Sequence, residues 1–493
     1  MIFLGIFLLL FGADQRQALT ASLEPDMREK SIIIQYFDDS SEATKATALI
    51  GRHEVLIPVA IMQEYIIHDS QLDKAAGRLY WQMPNPTFQM ETAVLDKLVQ
   101  SGAMLNFSLT QHRGKWYINV DGLETILGIK LKAADDDGSL VVRIEPKLGN
   151  DSSIRLNEPR IKQPFNGKIN LVWDYVRGST SSKFSEKAIT GLDVISPTWF
   201  SVVSEAGLVE NHANVQYVRD AHEKKYKVWA LLNNSFDSTL THQILENEAA
   251  QQNIVKQVVL YASMYNLDGI NIDFENIDNA DKNRLTEFVR LLRDALKEQN
   301  IAVSMDFTVP SSSLNWSACY DRQKLAAMLD YCMVMTYDEH SRLSQTSGSV
   351  ASLDWVDKGI VATLPFIPKA KLLIGIPFYT REWAENTVNG KITVTSKALS
   401  MAQANARVLE YHSPVVWLED KGQFYTEYVE NEQRYRIWLE DEKSVGLKAA
   451  LVDKYNLAGV ASWRKDFETP EIWNVLAAVL HKGSTIVRDS KTS

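Results

Sequence analysis

The sequence predicts an α/β protein: a (β/α)8 TIM barrel with an α+β insertion between its strands seven and eight, preceded by a small N-terminal α+β domain. Three observations carry this expectation. From residue 167 onward, apolar runs of strand length alternate with amphipathic helical stretches, with eight runs in all. One of these runs, 268–275, alternates Ile270, Ile272 and Phe274 with Asn271, Asp273 and Glu275, and helical patterns at 254–265 and 281–298 flank it. Residues 31–146 have a different rhythm, in which strands dominate and helices are short.

Taken in chain order, residues 1–12 are almost wholly apolar and are followed at once by Asp14, Gln15 and Arg16. Such a run is too short for a comfortable bilayer span. It reads as a secretory segment cleaved between Ala13 and Ser22, or as an uncleaved anchor within 1–22, although it has no Lys or Arg before its apolar part. Export to the cell envelope or beyond is the expectation. In the next segment, 32–37, 55–59, 78–81, 115–120 and 140–144 read as strands, with short helices at 60–67 and 122–127 and an approximate internal duplication. Asp135, Asp136 and Asp137 before Gly138 read as a turn rather than a calcium loop, because loop ligands at alternating positions are missing. The stretch 147–166, with Gly149, Asn150, Asp151 and Pro159, is the expected linker.

Barrel strands are expected at 168–173, 194–199, 227–232, 268–275, 302–307, 331–336, 371–377 and 459–463, within a domain spanning 167–482. The insertion is expected at about 385–456, with a hairpin of 424–429 and 435–439 joined by Glu430, Asn431 and Glu432.

Composition narrows the function. The chain has 493 residues, too many for one core, and a net charge of -10 with no basic stripe, which argues against nucleic acid as a partner. Its two cysteines exclude a disulfide scaffold, and its nine His show no zinc-type spacing, so no metal or other cofactor is expected. A monomer is expected.

The chemistry is concentrated in the acidic strand. In a sheet covered on both faces a carboxylate is expensive unless it has a partner or a task. Asp273 and Glu275 sit ~7 Å apart along the strand, close enough to bias each other's protonation. Barrel active sites form at the C-terminal ends of the strands, and there Tyr337 and Asp338, Arg381, and Trp463 would join them from strands six, seven and eight. Asp306 could face the barrel centre or make a structural hydrogen bond. Trp199, Asn233 and Trp383 could line outer subsites or serve packing, and Arg381 could bind a carboxylate or pair with a nearby acid.

Asp268-Gly269-Ile270-Asn271-Ile272-Asp273-Phe274-Glu275, with Met335-Thr336-Tyr337-Asp338 and Trp463, resembles the family 18 glycoside hydrolases over roughly 167–482. The wording around these motifs is similar to the subgroup of bacterial spore-cortex and peptidoglycan glucosaminidases. The resemblance implies hydrolysis of bonds next to N-acetylglucosamine in a polysaccharide, with the cell wall as partner and no enzyme nucleophile. Glu275 would be the acid and base, Asp273 and Tyr337 would hold the substrate's acetamido group, and Asp338 and Trp463 would orient the sugar. Asn271 departs from the pattern, since many chitinases of the family carry Asp there; it is expected to donate to Asp273. Chitin is the nearest alternative substrate, and a catalytically inactive sugar-binding barrel the alternative of a different class. The N-terminal patterns "LIPV" and "WYINVDGLETILGIK" resemble copper amine oxidase N-terminal-like domains, which implies a role in attachment or spacing in the wall, although no His cluster supports copper.

Overall fold

The computed structural model describes residues 27–36, 39–51, 54–83, 102–133, 138–145, 165, 167–176, 187–388 and 391–481. The apolar segment 1–22, the acidic trio 135–137 and the expected linker up to residue 164 lie outside the described residues.

Eight strands close into a parallel barrel: Ile169–Asp174, Val194–Pro197, Lys227–Asn233, Gly269–Asp273, Ala302–Thr308, Tyr331–Met335, Leu372–Pro377 and Gly459–Trp463. Each pairs with the next, and the eighth returns to the first in register, with Trp173 opposite Trp463. Strands one, two, four and seven are buried at every residue, as expected where helices cover one face and the barrel interior fills the other. Gly269 shows how tight this is: a Cβ there would lie 2.4 Å from Cδ1 of Trp229 on strand three. The Asp before it, Asp268, accepts from the Val228 amide and from His222, each at 2.8 Å, so it fastens the start of strand four, at the end remote from Asp273. Both cysteines are buried, and burial pushes Cys319 to about 11 and Cys332 to about 12.

The insertion is a five-stranded antiparallel sheet built between Tyr379 and Leu439. Its bounds differ from the expected 385–456 for two reasons. The first insertion strand starts one residue beyond strand seven and carries Arg381 and Trp383. The helix Glu442–Tyr455 is the barrel helix that packs on strands seven and eight. The hairpin turns at Asn431 and Glu432, both in the left-handed region. Glu440 and Lys448, both fully buried and 2.7 Å apart, bind the end of this sheet to that helix, and Gln423 and Ser444 satisfy the carboxylate further.

The N-terminal residues form a nine-stranded sheet. Strands at Ser41–Ile50, Gln71–Asp73, Ala103–His112 and Ile129–Ala133 join those expected from the sequence. Ser41–Ile50 is rich in Glu, Lys and Ala and has no clean alternation; pairing with Arg28–Gln35 and Val55–Pro58 overrides its weak strand propensity. This sheet meets the barrel at a hairpin, Phe200–Val202 with Val209–Asn211, that follows strand two. Arg78, 2% exposed, donates to Glu210 at 2.8 Å, Asn106 at 2.7 Å and the Asn211 carbonyl at 2.7 Å. Asn211 donates its backbone amide to the Asn106 side chain and its side-chain amide to the Asn106 carbonyl across the join. Glu210 is held down to about 2 chiefly by a hydrogen bond from His212, with Arg78 adding to the effect against burial.

Removing one partner from such a buried cluster leaves uncompensated polar groups behind. Arg78→Met should therefore destabilise the chain by about 3–5 kcal/mol, read as a lower denaturation midpoint in urea, whereas two merely adjacent units would leave the midpoint unmoved.

Candidate active site

Strand four delivers Asn271 and Asp273 into the barrel interior, and Glu275 follows two residues past Asp273. Asn271 is fully buried, Asp273 is 8% exposed and Glu275 is half-buried. On strand five Asp306, 2% exposed, points into the same interior. Asn271 donates to Asp306 at 2.7 Å rather than to Asp273, correcting the expected partner: the neighbouring strand brings Asp306 within reach and leaves Asp273 for Glu275.

The electrostatics follow from crowding acids where water is scarce. Burial pushes Asp273 up to about 7, and the hydrogen bond it accepts from Glu275 opposes that rise. Glu275 is raised well above the ordinary carboxyl range, first by burial and then by the charges of Asp273, Asp306 and Asp338. Asp306 is also raised well above its usual value by burial and by Asp273, and the Asn271 amide counters this. Oδ1 of Asp273 and Oδ1 of Asp306 have no hydrogen-bond partner. The group that keeps a proton to the highest pH is therefore poised as an acid, beside a carboxylate that ionises first.

The backbone carrying Glu275 is gripped from two sides. Asn234, buried at the end of strand three, accepts from the Glu275 amide at 3.1 Å and donates to its carbonyl at 2.7 Å, and its own amide also donates to Thr241. Tyr320 donates to the Phe274 carbonyl at 2.8 Å. The sequence pointed to the neighbouring Asn233, as a residue that could line an outer subsite, and not to Asn234. The Asn233 side chain accepts from the Ser235 amide and shapes the loop after strand three, while its backbone pairs with Asp273. The signal that could have found Asn234 is the Asn-Asn pair itself, at a strand end neighbouring the acidic strand.

Tyr337 and Asp338 follow strand six. The Tyr337 ring lies edge-on to Trp173 at 6.5 Å and to Tyr379 at 6.2 Å. It fits because residue 375 on strand seven is Gly, where a Cβ would come within 2.9 Å of the ring. Burial, then the nearby Asp306, raises its hydroxyl's ionisation well above the ordinary range, so it stays a donor. Asp338 stands in the left-handed region at φ 61° and accepts from Tyr379 at 2.5 Å, with Arg381 3.8 Å away. Arg381 is 4% exposed and braces this acid from the insertion. Trp463 ends strand eight half-buried, 6.0 Å from Trp173 and 6.4 Å from Tyr175. Glu275, Asp273, Tyr337, Asp338 and Trp463 thus gather at the C-terminal mouth of the barrel. Trp199 and Trp383 are fully buried, Trp199 against Tyr217 and Trp383 donating to the Gly348 carbonyl, so both serve packing in place of the outer subsites considered for them.

A carboxylic acid that retains its proton, a charged neighbour and a phenol donor beside a flat aromatic can protonate a leaving oxygen and stabilise a cation in a sugar. Comparison with known proteins places the chain in a family. The model of the "Glycosyl hydrolases family 18" matches residues 173–468. The chain is 27% identical over 315 residues, 61% of its own length and 89% of the relative, to "Uncharacterized glycosylase YvbX" of Bacillus subtilis. It is 23% identical to the Bacillus subtilis "Cortical fragment-lytic enzyme" over 50% of this chain, and spans 58% of that relative. In three dimensions it is similar to the Bacillus cereus spore cortex-lytic enzyme SleL, at a TM-score of 0.56 and 18% identity, covering 63% of this chain and 74% of that one. With a model that matches well over half of its length, the chain belongs to the glycosyl hydrolases of family 18.

Proposed function

We propose that this chain hydrolyses β-1,4 bonds next to N-acetylglucosamine in peptidoglycan or spore cortex, with retention and with the substrate's own acetamido group as nucleophile. The observation that carries the reading is the meeting of Glu275, Asp273, Tyr337, Asp338 and Trp463 at one mouth of the barrel, where burial and neighbouring acids raise Glu275 well above the ordinary carboxyl range. In this scheme Glu275 protonates the glycosidic oxygen while the acetamido carbonyl oxygen attacks the anomeric carbon, giving an oxazolinium ion and a free leaving sugar. The Asp273 carboxylate accepts from the acetamido N–H and balances the positive charge, and Tyr337 donates to the acetamido oxygen. Glu275, now ionised, takes a proton from water, which attacks the same carbon and reopens the ring. Asp338 orients the sugar over Trp463.

The likeness in sequence to a cortical fragment-lytic enzyme supports a cortex glycan as substrate, and the likeness to di-N-acetylchitobiases of mammals keeps chitin as the alternative. We extend the proposal to export, from the apolar run 1–12, and to wall attachment through the N-terminal sheet, from its sequence patterns.

Glu275→Gln should lower turnover by about 10²–10⁴-fold while glycan binding persists. Mass spectrometry of products from purified peptidoglycan, cortex and chitin oligomers reads it; unchanged turnover would overturn the role, and cleavage of chitin alone would overturn the substrate. The kcat/KM profile should be bell-shaped. Its acid limb should be shifted from the ordinary carboxyl range toward pH 7 as Asp273 ionises, and its alkaline limb should follow loss of the Glu275 proton. An acid limb near pH 4 would contradict the burial argument. Asp306 tests the same physics through stability. Its ionisation lies above its unfolded value, so its contribution is present below about pH 4 and is lost as pH rises through the raised folded value. Asp306→Asn should therefore raise Tm at pH 8, by at most about 2–4 °C per kcal/mol, with no gain at pH 4. A lowered Tm at pH 8 would refute it.

A further inference from the structure

Of the buried acids at the barrel mouth, Asp306 on strand five has no task in the hydrolytic scheme, although it is only 2% exposed. A fold keeps a carboxyl group this deep only where partners or a proton remove its cost. Asp306 has half of what it needs. Its Oδ2 accepts from the Asn271 amide at 2.7 Å, while its Oδ1 has no partner among the described residues. Oδ1 of Asp273 is bare in the same way.

Strands four and five set these two acids side by side. Their register pairs Asn271 with Ser304 and Ile272 with Met305, so the next step brings Asp273 beside Asp306. Neighbouring strands lie ~4.8 Å apart. Asn271 and Asp273 share one face of strand four, and the bond from Asn271 shows that Asp306 points to that face. Around Asp306 stand Asn271, Asp273 and Glu275 from strand four, Cys332 on strand six and Tyr337 just past its end. Among the described residues no cation joins them. Two carboxyl groups so placed cannot both be charged. Burial and the charge of Asp273 raise Asp306 well above its usual range, whereas Asp273 ionises at about 7. The proton therefore stays on Asp306, and on Oδ1, since Oδ2 is the oxygen that accepts from Asn271.

We propose that Asp306 carries a proton on Oδ1 and donates it in a hydrogen bond to the bare Oδ1 of Asp273, as a positioning residue that keeps the negative charge on Asp273 and not on Glu275. The terminal torsion of an Asp side chain is soft, so the bond closes without movement of either strand. The Asp273 carboxylate then has a donor on each side, Glu275 and Asp306, and its charge is tolerated without a cation. Its place in the reaction rests on the hydrolase reading of Asp273 and Glu275; the hydrogen bond itself does not. In that reaction the charge faces the acetamido N–H and the developing cation, and the other proton remains on Glu275 for the leaving oxygen.

The test reads the ionisation of Asp273 in the full, substrate-free chain by pH-difference infrared spectroscopy. The signal is the carbonyl band of its protonated form, assigned by loss of that band in Asp273→Asn. Asp306→Ala should raise the midpoint by about one pH unit, because a hydrogen bond to the charged form is lost. Asp306→Asn should leave it at or below the wild-type value, since its amide donates to the same oxygen and carries no charge. Asp306→Leu, which fills the space without a donor, takes the place of the Ala variant if that one does not fold. A midpoint that falls or stays put in the Ala or Leu variant overturns the proposal, as does a rise that Asn fails to prevent. In hydrolysis of purified cortex or tetra-N-acetylglucosamine, the acid limb of kcat/KM should move with the midpoint from variant to variant; a limb that does not follow overturns the part given to Asp306 in the reaction. If the wild type cleaves neither glycan, the hydrolase reading fails by itself, and the infrared midpoint alone decides the hydrogen bond.

Discussion

The constraint on which the site depends is that three carboxyl groups share one dry end of the barrel with fewer charges than they would carry in water. Asp273, Glu275 and Asp306 come from two adjacent strands and all are raised by burial. Among the described residues none of the three has a cationic partner in contact, and Arg381 is turned to Asp338 instead. The only low-cost state keeps protons on some of them, which is the state an acid catalyst needs near neutral pH. Asn271 tunes this arrangement. As an amide it adds no charge, and its bond to Asp306 frees Asp273 to accept the Glu275 proton. An Asp at 271 would insert a fourth acid in contact with Asp306, and one more proton would have to be retained.

Such a crowd stays in place only if the backbone that carries it is over-determined. Asn234 and Tyr320 hold both peptide groups around Phe274 and Glu275, so the acid's position is set by strand three and by the strand-five loop as much as by its own strand. On the opposite side, Tyr379 and Arg381 hold Asp338, and both belong to the insertion sheet. The buried Glu440–Lys448 pair fixes that sheet to the barrel helix between strands seven and eight. The insertion is therefore a wall of the site with a fixed stance. A long surface loop would leave Asp338, which is 45% exposed, free to turn into solvent.

Much of this was legible in the sequence because barrel strands are written in an unusual alphabet. A strand buried on both faces reads as a continuous apolar run, and any acid inside it stands out, as Asp273 and Glu275 do. Tyr337 and Trp463 were found because they end such runs. The rest was hidden for physical reasons. Asn234 acts through backbone bonds, which leave no spacing pattern, and its neighbour Asn233 stood out only as a residue near a strand end. The partner of Asn271 depends on the register between strands four and five, Asn271 opposite Ser304, which no single strand encodes. Trp199 and Trp383 sit near strand ends as a sugar-binding Trp would, and composition cannot tell a ring packed on Tyr217 from one facing a cleft. In the N-terminal sheet, Ser41–Ile50 owes its conformation to its neighbours rather than to its own residues.

That sheet also bears on how the barrel mouth is held. The hairpin it grips through Arg78 runs parallel to the end of strand three, with Ser201 opposite Asn233. Asn233 is paired in turn with Asp273, and the next residue, Asn234, holds Glu275. The buried contacts thus run without a break from the N-terminal sheet to the acid, through groups that are each hydrogen-bonded. Contiguity of this kind does not make a signalling route. It does fix a consequence for evolution and for engineering: the edge of the barrel at strands two and three is completed by the N-terminal sheet. Cutting that sheet away would expose Asn106-bonded backbone at Val209 and Asn211 to water and loosen the hairpin that flanks the Asn233–Asn234 turn.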